Sequence, residues 1–284
     1  MTYRAAYQWA ETVLAEAGVA DAGIDARLLL EYVCHTSRHD MILNGNRELS
    51  EEELLQFRAL IAKRSERIPL QQITGSQEFM GFTFAVNEHV LIPRQDTEIL
   101  AEQALHILKP GMSVLDMCTG SGCILLSLLA CREDVKGLGA DVSQEALKVA
   151  AQNHKAIEKQ CGRVLEADFV ESDLFAGVSG KYDVIVSNPP YIASEVIKTL
   201  ELEVRLHEPM GALDGMADGL FFYKEIVEKC SGFLNPGGWL LFEIGYDQGR
   251  AVAGLMQSAG FYKVTVKKDY AGLDRVVMGK LEEI

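Results

Sequence analysis

Over the first 75 residues, apolar positions recur at intervals of three and four, the period of an amphipathic helix. Thr2 can cap a first helix in which Tyr3, Tyr7, Ala10, Leu14 and Ala17 share one face, and Gly18 ends it. A second helical run passes through Ala26 to Val33. Ser50 and Glu53 form a capping box ahead of Leu54, Phe57, Leu60 and Ile61, and Pro69 stops the helical pattern. No alternating pattern precedes this point, so residues 1–75 predict a small helical domain.

From residue 76 the period changes. Phe79, Phe82, Phe84, Val86 and Val90 are interspersed with Gly81, Asn87 and Glu88, which predicts a β-hairpin linker over 76–92. Residues 93–284 then alternate between helix and strand, opening with a helix after Pro93 that carries Ile99, Leu100, Ala104 and Leu108. Strands are predicted at 114–116, 137–141, 163–167, 182–187 and 239–244, with helices at 123–130, 144–157, 219–233 and 248–259. Two consecutive strands, 262–267 and 275–280, close the chain without a helix between them. Near-continuous apolar strands separated by helices imply an α/β fold with a parallel sheet covered on both faces, and the last pair implies an antiparallel edge.

Charge narrows the partners. The 284 residues include 27 basic and 41 acidic side chains, a net charge of −14. Residues 1–85 hold eight Lys/Arg and twelve Asp/Glu, so the accessory region is acidic too. Duplex binding draws on the opposite balance, which argues against a stable nucleic-acid partner. The longest apolar stretches run to about ten residues, short of the roughly twenty that cross a bilayer. No apolar leader follows Met1, so the expectation is a soluble, cytoplasmic protein without a membrane partner. The six cysteines contain no C-x-x-C pair and read as reduced thiols. Cys34, His35 and His39 lack a carboxylate or second cysteine cluster, so no metal is expected.

Four segments carry chemistry. Asp116-Met117-Cys118-Thr119-Gly120-Ser121-Gly122 lies between a strand and a helix, and its glycines allow a tight turn and close approach to a ligand. Its glycine spacing departs from the dinucleotide fingerprint, and an acid ends the strand. This D-x-x-x-G-x-G loop resembles the S-adenosylmethionine loop of class I methyltransferases, whose ligand brings cationic groups that a carboxylate attracts. Asp141, 19 residues beyond Gly122, can accept from ribose hydroxyls or cap the helix from 144. Asp173 and Leu174, beyond the following strand, can hydrogen-bond and pack against a base. Asn188-Pro189-Pro190-Tyr191 follows an apolar strand. Its prolines fix an extended chain, leaving the Asn188 oxygen and the Pro189 carbonyl free to accept both hydrogens of a planar amino group on which Tyr191 can stack. Holding both hydrogens turns a delocalised nitrogen towards an electrophilic carbon and stabilises the charge that develops. The motif is similar to one shared by methyltransferase families that act on exocyclic base amines and by those that act on glutamine side chains, so it implies the reaction and leaves the substrate open.

Longer runs choose between them. Arg67-Ile68-Pro69-Leu70-Gln71-Gln72-Ile73-Thr74-Gly75, Glu78 to Phe82 and Val90-Leu91-Ile92-Pro93-Arg94-Gln95-Asp96-Thr97-Glu98 precede the cofactor loop. Glu203-Val204-Arg205, His207-Glu208-Pro209, Ala212 to Gly215, Asp218 to Leu220 and Phe242 to Gly245 follow. In this order, across essentially the whole chain, they resemble the HemK/PrmC family of protein-(glutamine-N5) methyltransferases.

The resemblance implies a class I, Rossmann-like, seven-stranded methyltransferase domain behind a helical domain that holds the substrate. That substrate would be the glutamine of the Gly-Gly-Gln motif of class 1 peptide chain release factors, with S-adenosyl-L-methionine converted to S-adenosyl-L-homocysteine. Asp116, Cys118, Thr119, Gly120, Ser121, Gly122, Asp141, Asp173, Leu174 and Asn188 would face the cofactor. Asn188, Pro189, Pro190 and Tyr191 would receive the glutamine, with Arg94 in the substrate set. Met117 and Cys118 stand where the family commonly has Leu and Gly, and Leu174 where some relatives carry Trp. Arg94 and Glu98 are either a surface pair or part of a substrate channel; Arg205 and Glu208 either anchor the loop after the Asn-Pro-Pro-Tyr turn or touch the partner. The competing assignment is an amino-methyltransferase of DNA or RNA, which would call for a positive surface and base flipping.

Overall fold

The capping signals set helix ends in the computed structural model, which describes residues 1–282. Helix α1 (Tyr3–Glu16) starts at Thr2, whose hydroxyl accepts from Ala5 N, and α2 spans Ala22–Cys34. Helix α3 (Arg38–Leu43) carries a capping box of Ser37 and Asp40 that the sequence reading passed over. In α4 (Glu51–Ser65) the Ser50–Glu53 box is reciprocal: Glu53 N donates to Ser50 Oγ at 3.1 Å and Ser50 N to Glu53 Oε2 at 2.7 Å. Pro69 does not end the helical region. It precedes a further short helix, α5 (Leu70–Thr74), where a fixed φ suits the start of a turn.

These helices bury Tyr3, Ala10, Leu14, Leu29, Leu30, Phe57 and Ile61 together. Residues 1–75 and the segment Glu201–His207 form one compact unit. Arg64, 6% exposed, is buried inside it, which demands partners. Its Nε donates to Asp25 Oδ2 at 2.7 Å and its Nη2 to Glu203 Oε1 at 2.8 Å, while Arg67 holds the other Glu203 oxygen at 2.5 Å. Burial would raise the Glu203 carboxyl, but the hydrogen bonds of Arg67 and Arg64 prevail and hold it at about 2.

The second compact unit comprises Ser76–Leu200 and the chain from Glu208. It opens with a hairpin of β1 (Ser76–Phe79) and β2 (Phe82–Ala85), whose turn residues Met80 and Gly81 both have positive φ. Then come α6 (Gln95–Ile107), β3 (Ser113–Met117), α7 (Cys123–Cys131), β4 (Lys136–Asp141), α8 (Gln144–Cys161), β5 (Glu166–Glu171) and β6 (Tyr182–Ser187). Two short helices, α9 (Ser194–Ile197) and α10 (Leu202–His207), precede α11 (Phe221–Lys229), β7 (Leu234–Glu243), α12 (Gly249–Ser258), β8 (Phe261–Lys268) and β9 (Asp274–Leu281). Of these, α10 belongs to the helical unit.

The seven-stranded sheet has the order β5-β4-β3-β6-β7-β9-β8, parallel except for β9, which runs antiparallel to β7 and β8. This is the expected α/β sheet with its antiparallel edge. One strand is displaced: β5 begins at Glu166, not Arg163, because α8 continues to Cys161 and Val164 is left 80% exposed. Strand order reverses between the parallel neighbours β3 and β6, the chain winding outward from β3 to β5 and then crossing back to β6, so the loops leaving these adjacent strands diverge and open a crevice at their carboxyl ends. Among the described residues no helix is long and apolar enough to cross a membrane.

Candidate active site

The crevice contains a cavity of about 340 Å³, within the range of small-molecule sites. Its wall takes Cys118 to Ser121 from the β3 loop, Asp141 from the end of β4, Ser172 to Leu174 from beyond β5, and Asn188 and Pro190 from beyond β6. Arg94 and Thr97, at the N-cap and first turn of α6, complete the wall on the β6 side, with Ile124 and Phe222 among the apolar lining.

Four expected residues stand behind this wall. Asp116 is fully buried below the loop and holds its shape: Thr119 Oγ1 donates to Asp116 Oδ2 at 2.6 Å and Leu125 N donates at 3.3 Å. The other oxygen, Oδ1, is buried without a partner, and burial raises this carboxyl to about 7 against the pull of Thr119 and Leu125. Gly122 (φ 77°) packs the loop on helices, since a Cβ there would lie 3.3 Å from Ala150 Cβ. Pro189 is buried and is not part of the lining.

Tyr191 is the clearest departure from expectation. Instead of lining the cavity as a stacking surface, its hydroxyl donates to Glu243 Oε1 at 3.2 Å and its carbonyl accepts from Gln248 Nε2 at 3.0 Å. A Cβ at Gly219 would approach that carbonyl to 2.4 Å, so glycine is required for the fit. Tyr191 therefore anchors the turn.

On the acidic side, Asp141 Oδ2 accepts from Gly120 N and Oδ1 from Ser143 N, both at 2.9 Å. Ser143, not Asp141, caps α8, with its hydroxyl accepting from Ala146 N. Burial raises the Asp141 carboxyl, while the backbone donors of Ser143 and Gly120 pull it down. Each carboxylate oxygen retains a second lone pair for a ligand hydroxyl. Cys118, at φ 61°, occupies the left-handed region where glycine is easier, and burial raises its thiol strongly. Leu174, also left-handed, has its carbonyl held by Ser172 Oγ, a contact the sequence did not suggest.

On the side of α6 and the β6 loop, Arg94 pairs with Glu208, not with Glu98. Glu98 instead accepts from Met80 N at 2.6 Å. Glu208 thus ties the chain after the Asn-Pro-Pro-Tyr turn to the start of α6. Asn188 Nδ2 donates to Thr97 Oγ1 at 3.3 Å. Glu243, 2% exposed, is raised by burial, with hydrogen bonding from Thr97, the charge of Arg275 and the Tyr191 hydroxyl opposing. Asn153 is another residue missed by sequence reading: fully buried on α8, it bonds both backbone groups of Ala85 and the Ser121 carbonyl, joining hairpin to loop.

Two carboxylates, Asp141 and Asp173, beside apolar walls suit a ligand with ribose and cationic groups better than a pyrophosphate. The residues present therefore fit S-adenosylmethionine.

Comparison with known proteins agrees with this chemistry. Residues 5–75 match the PrmC N-terminal domain and residues 95–206 the methyltransferase small domain. A release factor glutamine methyltransferase of Caulobacter vibrioides is 41% identical over 282 residues, covering 98% of this chain and 96% of that protein. One of Geobacter sulfurreducens is 40% identical, covering 99% and 97%. A solved methyltransferase of Pyrococcus furiosus, 17% identical, aligns over 78% of this chain and 99% of its own with a TM-score of 0.53, a likeness of fold. With relatives this similar over their full length, the chain belongs to the release factor glutamine methyltransferase family.

Proposed function

We propose that this protein methylates the side-chain amide nitrogen, N5, of the glutamine in the Gly-Gly-Gln motif of class 1 peptide chain release factors, using S-adenosyl-L-methionine and no metal. The observation that carries this is Asn188, which lines the same cavity as Asp141 and the β3 loop. Thr119 to Ser121, Asp141, Asp173 and Leu174 would hold the cofactor, with Asp116 and Gly122 shaping the loop from behind. Bound there, S-adenosyl-L-methionine supplies an electrophilic methyl group and leaves as S-adenosyl-L-homocysteine.

The protein orients the acceptor. Asn188 Nδ2 is engaged by Thr97, which leaves Oδ1 to accept one amide hydrogen. Among the described residues no hydrogen bond claims the Pro189 carbonyl; the residue does not itself line the cavity, and the other hydrogen is assigned to its carbonyl on its place next to Asn188. Two acceptors fix the amide plane, direct the nitrogen's lone pair, and stabilise positive charge as it develops. The proton released after transfer is acidic, so no strong general base is required. Burial keeps the Tyr191 hydroxyl protonated, in keeping with anchoring rather than base catalysis.

The test offers methyl-labelled S-adenosyl-L-methionine with purified release factor, DNA and ribosomal RNA side by side. Label on the Gly-Gly-Gln peptide is expected. Label on nucleic acid alone would assign the site to an exocyclic base amine.

A further inference from the structure

We propose that Gln248 is a positioning residue that locks the Asn188–Tyr191 turn to the segment 208–219, and so fixes two stretches of the cavity wall relative to each other. This deepens the functional reading above and rests on it for its consequence, though not for its geometry.

Gln248 stands at the N-cap of α12, half-buried and outside the cavity lining. Its side chain bridges three loops. Nε2 donates to the Tyr191 carbonyl at 3.0 Å and to the Gly219 carbonyl at 3.2 Å. Oε1 accepts from Gly245 N at 2.9 Å. The Tyr223 hydroxyl lies 3.3 Å from the same oxygen and shares its one proton with the Glu243 carbonyl at 2.9 Å. These partners fix the polarity, since a carbonyl can only accept and a backbone N–H can only donate. A reversed carboxamide would set its oxygen against two carbonyls and its N–H against another N–H. With both donors and the acceptor engaged, the side chain has one arrangement.

The segment it grips runs closely beside the turn. Ile192 N donates to Leu213 O at 3.0 Å, and Gly215 N to Ile192 O at 2.8 Å. A Cβ at Gly215 would lie 2.7 Å from Tyr191 Cα, and one at Gly219 would lie 2.8 Å from Gln248 Nε2, so side chains at either position would push the two apart. The segment begins at Glu208, which pairs with Arg94, and carries Pro209, Gly211 and Ala212 into the cavity wall. The turn contributes Asn188 and Pro190 to the same wall. The tie at Arg94 holds the start of the segment. The tie at Gln248 holds its end, and reaches into the Asn-Pro-Pro-Tyr turn itself.

Gln248→Met keeps the length of the side chain and removes its hydrogen bonds. Gln248→Glu keeps the acceptor for Gly245 N but turns a second acceptor towards the Tyr191 and Gly219 carbonyls. In both, kcat for release-factor methylation should fall by about tenfold to a hundredfold, the scale of a misplaced reacting group. The isosteric Gln248→Glu should lose at least as much as Gln248→Met, because repulsion is added to the lost donors. Calorimetric titration of S-adenosyl-L-methionine should give a Kd within about twofold of wild type. Its stoichiometry should be unchanged, whereas a partly unfolded enzyme would bind less.

A second readout is independent of turnover. In hydrogen exchange of the free protein, the Ile192 and Gly215 amides should exchange about tenfold or more faster in Gln248→Met, the scale of the two donated hydrogen bonds lost. The Thr119 and Gly122 amides of the β3 loop, bonded to Ala140 O and Thr119 O, should keep their wild-type rates. Unchanged exchange at Ile192 and Gly215 would overturn the lock whatever the protein methylates. So would wild-type kcat in Gln248→Met, a loss lying wholly in cofactor Kd, or a milder loss in Gln248→Glu than in Gln248→Met. If Gln248→Met does not fold, exchange and kcat in Gln248→Glu decide by the same criteria. Exchange released as expected, in a protein whose wild type is inactive on a release factor, would count against the substrate assignment and leave the lock standing.

Discussion

The loops after β3 and β6 border one cavity but are shaped by different means. After β3 the backbone does the work: Cys118, Gly120 and Gly122 all have positive φ, and Asp116 and Asp141 brace the chain through Thr119 and Gly120. After β6 no residue from Asn188 to Tyr191 has positive φ; prolines stiffen the chain, and side chains from α6 and β7 together with Gln248, the residue before α12, hold it. The first loop thus presents backbone to a ligand, with the Asp141 carboxylate beside it at the end of β4. The second fixes a single carboxamide. A site divided this way should separate under mutation into loss of cofactor affinity and loss of transfer.

The largest effect should come from Asn188→Ala, which removes an acceptor used as charge develops. A fall in kcat of about 10²- to 10³-fold is expected, measured by methyl incorporation at saturating cofactor. Asp141→Ala attacks the other side, removing a ligand acceptor and the brace on Gly120. Cofactor affinity should weaken by about tenfold to a hundredfold in calorimetric titration, the scale of one or two charge-assisted hydrogen bonds.

A smaller effect concerns pH. The folded protein raises Asp116 from its ordinary 3.8 to about 7 and therefore favours its protonated form. The stability this contributes is complete below pH 3.8 and is lost as pH rises through about 7. Asp116→Asn keeps a neutral group of the same shape and gives the orphaned position an N–H. Thermal unfolding at pH 5.5 and 8.5 should show wild type losing stability over that interval by more than the variant. Equal slopes would mean that Asp116 does not titrate there. The smallest effect belongs to Cys118→Gly, where relief of the positive φ opposes the extra chain entropy of glycine. A gain of no more than about 2 °C in Tm is expected, with activity retained.

The sequence made the scaffold readable because its signals are local. Thr2, Ser50 with Glu53, and the apolar run of β6 each act over a few residues, and the order of strands and helices implied the sheet. Strand β5 was misplaced because its edge position leaves alternate residues exposed, so the apolar pair Val164-Leu165 looked more strand-like than Glu166 to Glu171. The residues that face the crevice were legible where they sit in a strand-end motif, as at Asp141 and Asn188. Thr97, Asn153 and Glu243 were not assigned roles because their partners lie 32 to 91 residues away in the chain. For Tyr191 the residue type suggested stacking, but its direction depended on Glu243, which only the folded sheet brings near.

The division between the two loops is tested most directly by titrating S-adenosyl-L-methionine into Asn188→Ala and Asp141→Ala by calorimetry under the same conditions. The account predicts a Kd within about twofold of wild type for Asn188→Ala and a large increase for Asp141→Ala. Equal loss of affinity in both variants would contradict it, because Asn188 would then hold the cofactor as firmly as Asp141 does.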